Sequence, residues 1–293
     1  MLLIPMITGV ALGQTTPSRT PAAAGQPTPP PAMAGIFASS FGSRLASADT
    51  VTVSITQGGI VPVYSSSTTV EPGSWISIYG QNLATSSNTW TGNFPQDLGG
   101  TSVTINGKPA YIWFVSGQQI NLQAPDDTAT GTVPVVVQTP MGSATSTVTL
   151  GTFGPSFSLL DSSHVAGIIV RTNGKGAYGG GTYDIIGPVS SPFGYPTVPA
   201  AAGDTIELFG VGFGPTNPAV PAGQPFSGAA PAVSPVTIFI NGTAITPAFA
   251  GLTEAGLFQF NITLPQGLGS GDVPLLATVG GVQTPTGVVI SLQ

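Results

Sequence analysis

The chain has 293 residues and a formal net charge of −6, with only 5% of its residues charged, against about 25% in an average soluble domain. Its five basic residues, Arg19, Arg44, Lys108, Arg171 and Lys175, cannot assemble a basic patch, so nucleic acid is not an expected partner. The absence of cysteine excludes disulfides, thiolate metal sites and a thiol nucleophile.

The length suits about two domains. With 41% apolar residues in alternating runs, and with 41 Gly and 29 Pro, the composition points to β-structure whose surface is solvated by hydroxyl groups rather than ions. No segment carries a convincing 3.6-residue period, so helix is expected to be minimal.

At the N-terminus, residues 1–13 contain the short apolar run LLIPMITGVALG, which ends in small residues like the h-region and cleavage site of a signal peptide. It lacks a basic n-region. It is also too short to span a bilayer, and no cysteine follows it to take a lipid anchor. The expectation is export, to a secreted or cell-surface location. Residues 14–50 are rich in Pro, Ala and Ser, including PTPPPAMAG, and read as a disordered linker.

The folded region divides into two expected β-sandwiches, 51–152 and 153–293. Val51–Val63 alternates and is kinked at Gly58-Gly59. Trp75–Tyr79 follows as a strand with Ile76 and Ile78 on one face and Trp75, Ser77 and Tyr79 on the other. Val103–Ile105, Asn106-Gly107 and Tyr111–Phe114 read as a hairpin, because Asn-Gly between apolar runs takes the two positive φ angles of a tight turn.

The same pattern returns near the C-terminus. Gly73 and Gly80 correspond to Gly203 and Gly210, Asn106 to Asn241, and Pro125 and Pro134 to Pro265 and Pro274. The spacing between matched positions grows in steps, as it does when loops lengthen between fixed strands. Matched core positions are Ile76 and Ile78 with Ile206 and Leu208, Ile120 and Leu122 with Phe260 and Ile262, and Val148 and Leu150 with Val288 and Ile290. Residues 157–200 have no counterpart in the first copy and read as strands and a loop inserted in the second sandwich. Short strands with frequent turn signals fit a sandwich.

PGSWISIYGQNLA, the Asn-Gly hairpin, QQINLQAP and GTVPVVV resemble an IPT/TIG domain, an immunoglobulin-like β-sandwich. Residues 60–293, with a weaker second copy ending in GGVQTPTGVVISL, resemble more closely the uncharacterised C-terminal domain of secreted acidobacterial proteins. The resemblance implies an all-β fold of two tandem Ig-like sandwiches and an exported setting. It implies no catalytic residues and no cofactor, and the fold by itself does not decide function.

The chemistry-bearing residues are few. His164 stands alone with Asp161 and Ser162 beside it in sequence, which reads as a structural histidine rather than a nucleophile–His–acid set. Gly174–Gly179 fits G-x-G-x-x-G but runs on into Gly180-Gly181 rather than a helix, so it reads as a loop. Asp126-Asp127, Glu71, Asp97 and Asp204 are loop acids without calcium-loop spacing. Asn241 and Asn261 are glycosylation sequons in form only. No pair of carboxylates is singled out for glycoside hydrolysis, so no enzyme activity is expected.

The polar loop 86–100 holds Trp90 and Phe94, the two candidate ligand-binding residues. Loop aromatics among Asn and Thr can stack on sugars, and the alternative is that Trp90 caps the end of the sandwich. Trp75 and Trp113 read as packing residues. The favoured expectation is a non-catalytic module for cell-surface interaction or spacing, with a protein or polysaccharide partner; the second is an accessory carbohydrate-binding module.

Overall fold

Alternation of apolar and hydroxyl side chains selects strands throughout residues 52–293, the part of the chain described by the computed structural model. No helix occurs among the described residues. The leader-like run 1–13, the linker 14–50 and Val51 lie outside them.

Four sheets form two Ig-like sandwiches in tandem. The first sandwich has one sheet in which Trp75–Gln81 lies between Ser54–Pro62 and Gln119–Gln123, with Tyr111–Val115 and Asn88–Thr89 beyond. The facing sheet is built on the Gly131–Thr139 and Gly142–Leu150 hairpin, with Thr101–Ile105 and Asp97–Leu98 on one side and Thr69–Val70 pairing parallel on the other. Ser54–Pro62 carries a register shift between Ile55 and Ile60, at the kink expected from Gly58-Gly59.

Inward positions of both sheets close one core. Ile76, Ile78, Ile112, Ile120 and Leu122 meet Val103, Ile105, Val135, Val137 and Leu150. Each buried aliphatic contributes about 1.5–3 kcal/mol relative to exposure.

Asn106 and Gly107 both have positive φ, 52° and 75°, as the tight turn requires. The hairpin itself is shorter than the sequence suggests. Only Lys108–Pro109 pairs back onto Thr101–Ile105, and Tyr111–Val115 crosses to the opposite sheet. The crossing occurs at Ala110, which is fully buried and small enough to pass between the layers. Beyond it Ile112 and Val115 reach the core from the other side. The second copy repeats the crossing: Thr243–Ile245 returns to Val236–Ile240, and Phe249–Glu254 pairs with Leu257–Thr263 in the other sheet.

The second core gathers Ile206, Leu208, Phe260, Ile262, Val288 and Ile290 around a group of rings in which Phe213 and Phe260 lie 4.5 Å apart. Its last strand differs from that of the first copy. Where Gly142–Leu150 is continuous, its counterpart is split into Val282–Gln283 and Val289–Leu292. Pro285, which has no N–H for a ladder bond, and Gly287, at φ +89°, fall in the gap.

The segment 157–200 extends this sandwich. Gly167–Val170 pairs with Thr205–Val211 and carries Tyr183–Ile185 on its outer edge. Arg171 fastens the extension through Asp184 at 2.7 Å and Asp204 at 3.0 Å.

Candidate functional site

The outer face of the Trp75–Gln81 sheet collects the aromatic residues that the sequence scatters over four places. Trp90 meets Trp75 edge-on at 5.6 Å, Phe94 meets Trp90 at 4.6 Å, and Trp113 lies 6.4 Å from Trp75. Trp75 is buried, at 1% exposure, whereas Trp90 and Phe94 are half-buried. Loop 86–100 is held from both sides. Trp90 donates its backbone N–H to Trp113 O, and Ile112 donates to Pro95 O. The two candidate residues therefore form a fixed, half-exposed pair seated on Trp75.

Further along the same face runs a polar ladder. Ser77 pairs with Asn121 and Tyr79 with Gln119 across the strands. The Ser77 hydroxyl and the Gln119 amide both donate to Asn121 Oδ1, at 2.9 and 2.8 Å. Tyr79 beside them is 42% exposed. The second copy repeats the amide pair, with Gln259 Nε2 donating to Asn261 Oδ1 at 2.8 Å. Its counterpart of Tyr79, Phe209, is buried. Only the first sandwich presents an exposed ring beside the ladder.

The inner end of this face is a seam between the sandwiches. Trp75 Nε1 donates to Ala255 O at 2.7 Å. A Cβ on Gly256 would come within 2.8 Å of the same nitrogen, so the hairpin tip lies against the indole as bare backbone. Gln123 Oε1 accepts from Gly223 N and Asp126 Oδ2 from Ala222 N, both at 3.0 Å. Ser156 Oγ donates to Val63 O at 2.7 Å.

Glu71 completes the seam from the turn before Trp75, its Oε2 accepting from Gly214 N at 2.8 Å. Burial of its carboxyl, opposed by that single N–H, pushes the pKa up to about 8.

The sequence names Glu71 only as a loop acid and Trp75 only as a packing residue, yet a signal of the seam is present in it. The copies keep apolar core positions and the amide pair of the ladder but differ at the seam. Glu71, Trp75, Gln123 and Asp126 correspond to Ala201, Thr205, Thr263 and Gln266. The strand pairs Trp75–Gln123 and Thr205–Thr263 confirm the equivalence.

The other candidates have structural partners. His164 Nδ1 lies 2.9 Å from Asp161 and Nε2 lies 3.3 Å from Asp272. Burial opposes protonation, but the two carboxylates outweigh it and raise the pKa of the imidazole above its ordinary value. Both ring nitrogens are thus engaged by carboxylates, which orients the imidazole as a structural link between Asp161 and Asp272.

Asp127 accepts from Ala129 N, Asn106 Nδ2 and Lys108 Nζ, and these bonds hold its pKa down at about 2. Asp126 is engaged at the seam. The Gly174–Gly179 loop closes on Tyr178 O, which accepts from Gly181 and Thr182, and it leads into a strand. Asn241 occupies a turn at φ +48° and donates to Leu268 O. Among the described residues no group of three or more His, Asp or Glu is placed to hold a metal ion. No described helix is long and apolar enough to cross a membrane.

Residues 59–153 match the IPT/TIG domain family. The match covers the first sandwich, about a third of the chain. No curated protein matches.

Solved structures align over most of the chain at low similarity. SGBP-B of the mixed-linkage glucan utilization locus of Bacteroides ovatus, in complex with a heptasaccharide, is 11% identical, over 77% of this chain and 43% of that one, with a TM-score of 0.30. SGBP-B from a xyloglucan utilization locus of Bacteroides uniformis is 16% identical, over 81% and 49%, with a TM-score of 0.23. The I9–I11 tandem of titin is 11% identical, over 82% and 65%, with a TM-score of 0.21. This chain thus spans 43–65% of the length of these three. At such scores no ligand or partner passes from them to this chain.

Proposed function

We propose that the protein is an exported, non-catalytic pair of Ig-like sandwiches, divided near residues 152 and 153, that serves as a rigid interaction or spacer unit at the cell surface. The observation that carries this reading is the seam. Side chains of the first sandwich bond to backbone of the second at Ala255, Gly214, Gly223 and Ala222, which suits a stiff spacer better than two beads on a string. The hydroxyl-rich, weakly charged surface and the leader-like N-terminus fit an exported setting. The resemblance to secreted acidobacterial domains belongs to the same reading, and the scarcity of basic residues speaks against nucleic acid as a partner. Backbone ¹⁵N relaxation on the full chain tests the rigidity. One rotational correlation time for both sandwiches supports the spacer role, and two independent ones overturn it.

A second reading is favoured by the half-exposed Trp90–Phe94 pair. Tyr79 lies four residues from Trp75 along the strand, so the two ends of the strip stand about 13 Å apart, with the amide ladder between them. Such a surface suits stacking on an extended polysaccharide. Retention of the protein on soluble and insoluble polysaccharides, lost on Trp90→Ala, supports glycan binding at this strip. No retention on any glycan directs the search to protein partners.

A further inference from the structure

The strand register places Trp75 and Gln123, Ser77 and Asn121, and Tyr79 and Gln119 in three successive rows on one face of the first sandwich. Rings stand at both ends, with Trp90 and Phe94 over the first row and the exposed Tyr79 in the third. Phe94 holds a φ of +48°, a conformation that a bulky residue keeps only when its surroundings impose it. The loop thus bears backbone strain at the residue that completes the ring pair.

The amides of Gln119 and Asn121 lie between the rings. They spend one N–H and one C=O on each other at 2.8 Å. Whichever way the two amides are turned, one NH2 group and one carbonyl oxygen are left over, side by side. Among the described residues the buried side-chain polar atoms without a partner belong to Ser74, Ser158 and Tyr195. The spare groups of Gln119 and Asn121 are not among them, so both stay open to solvent.

The same face is free of charge. The five strands of this sheet contain no Asp, Glu, Lys, Arg or His. Asp97, the acid of loop 86–100, pairs into the opposite sheet and accepts from Gly100 N.

We propose that the strip binds a neutral polysaccharide, with Trp90, Phe94 and Tyr79 stacking on its sugar rings and Gln119 and Asn121 selecting its hydroxyls. This rests on the glycan reading of the strip and adds the class of glycan and the residues that choose it. A hydroxyl both donates and accepts, so it matches an adjacent amide donor and acceptor. A carboxylate or sulfate only accepts, and would meet the spare carbonyl with no cation at hand to offset it. The net charge of −6 repels a polyanion further.

Native gels carrying matched polysaccharides test this on the full chain. The pairs are hydroxyethylcellulose and carboxymethylcellulose, dextran and dextran sulfate, and methyl-esterified pectin and polygalacturonate, with galactomannan as a further neutral probe. The expected result is retardation by at least one neutral polysaccharide and by no acidic member of a pair. Gln119→Leu should weaken the retardation about fivefold, the effect of one hydrogen bond. Gln259→Leu breaks the same amide pair in the second copy, where no exposed ring stands beside it, and should leave retardation unchanged. Melting temperatures of both variants separate loss of fold from loss of binding.

Retardation as strong with acidic members as with neutral ones, and abolished by Trp90→Ala, overturns the proposal while the glycan reading stands. Retardation unchanged in Gln119→Leu, or weakened equally in Gln259→Leu, overturns the role of the amides. No retardation by any polysaccharide overturns the proposal and the glycan reading together, and leaves the face to a protein partner.

Discussion

Trp75 Nε1 and the carbonyl of Ala255, 180 residues apart in sequence, meet at 2.7 Å in a buried hydrogen bond. The bond joins an interior strand of one sandwich to a hairpin tip of the other. A strand residue whose side chain points away from its own core thereby becomes part of a second interface.

Trp75→Phe keeps a ring but removes the N–H, leaving a buried carbonyl without its donor. The expected loss of stability is about 1–3 kcal/mol in urea unfolding, with the main-chain amides around Ala255 exchanging faster with deuterium. A loss near zero would show that water replaces the indole at no cost.

Gly256→Ala and Gly267→Ala form a matched pair. Both residues have positive φ, 65° and 83°, so both substitutions carry the same backbone penalty of roughly 1 kcal/mol. Only Gly256 also faces Trp75 at 2.8 Å, whereas nothing lies within 4 Å of a Cβ at Gly267. Gly256→Ala should therefore cost about 1–3 kcal/mol more than Gly267→Ala, the usual range for overpacking. Equal losses would mean that the seam yields without resistance.

Glu71 gives the seam a pH dependence of definite sign. Its pKa in the fold is about 8, above the ordinary value of 4.5, so between these values the folded state keeps a proton that the unfolded state has released. Stability contributed at this residue is full below about pH 4.5, falls as pH rises to about 8, and is level beyond. Glu71→Gln retains an acceptor for the Gly214 N–H and removes the titration. The variant should match the wild type near pH 4 and exceed it near pH 9 by a few kcal/mol at most. A variant less stable than the wild type at pH 9 would refute the assignment.

His164 adds a second slope in the same direction. Its pKa in the fold is raised above the ordinary value of 6.5, so the stability from its bonds to Asp161 and Asp272 is complete below pH 6.5. That stability is lost as pH climbs through the folded value. His164→Gln should lower the melting temperature at pH 6 and have a smaller effect at pH 9. An effect that grows with pH would contradict the two-carboxylate clamp.

Much of the fold is legible in local pattern. Asn106-Gly107 and Asn241-Gly242 declare their turns because few residue pairs accept two positive φ angles, and the alternation around Ile76, Ile120 and Leu122 names the core face. The hairpin Val103–Phe114 was legible only at its turn. Its return strand changes sheets at Ala110, and no local preference distinguishes a strand that stays from one that crosses. Trp90 and Phe94 could be nominated as loop aromatics, but their union on Trp75 joins segments that only the closed sheet brings together.

The sequence by itself determined the β class, the duplication, the turns and the near absence of charge, because each follows from the period, composition or steric demands of neighbouring residues. The tertiary structure decided the seam and the proton on Glu71. Burial and long-range hydrogen bonds depend on which surfaces meet: burial of the Glu71 carboxyl at the seam raises its pKa, against the lowering effect of the N–H of Gly214, 143 positions away.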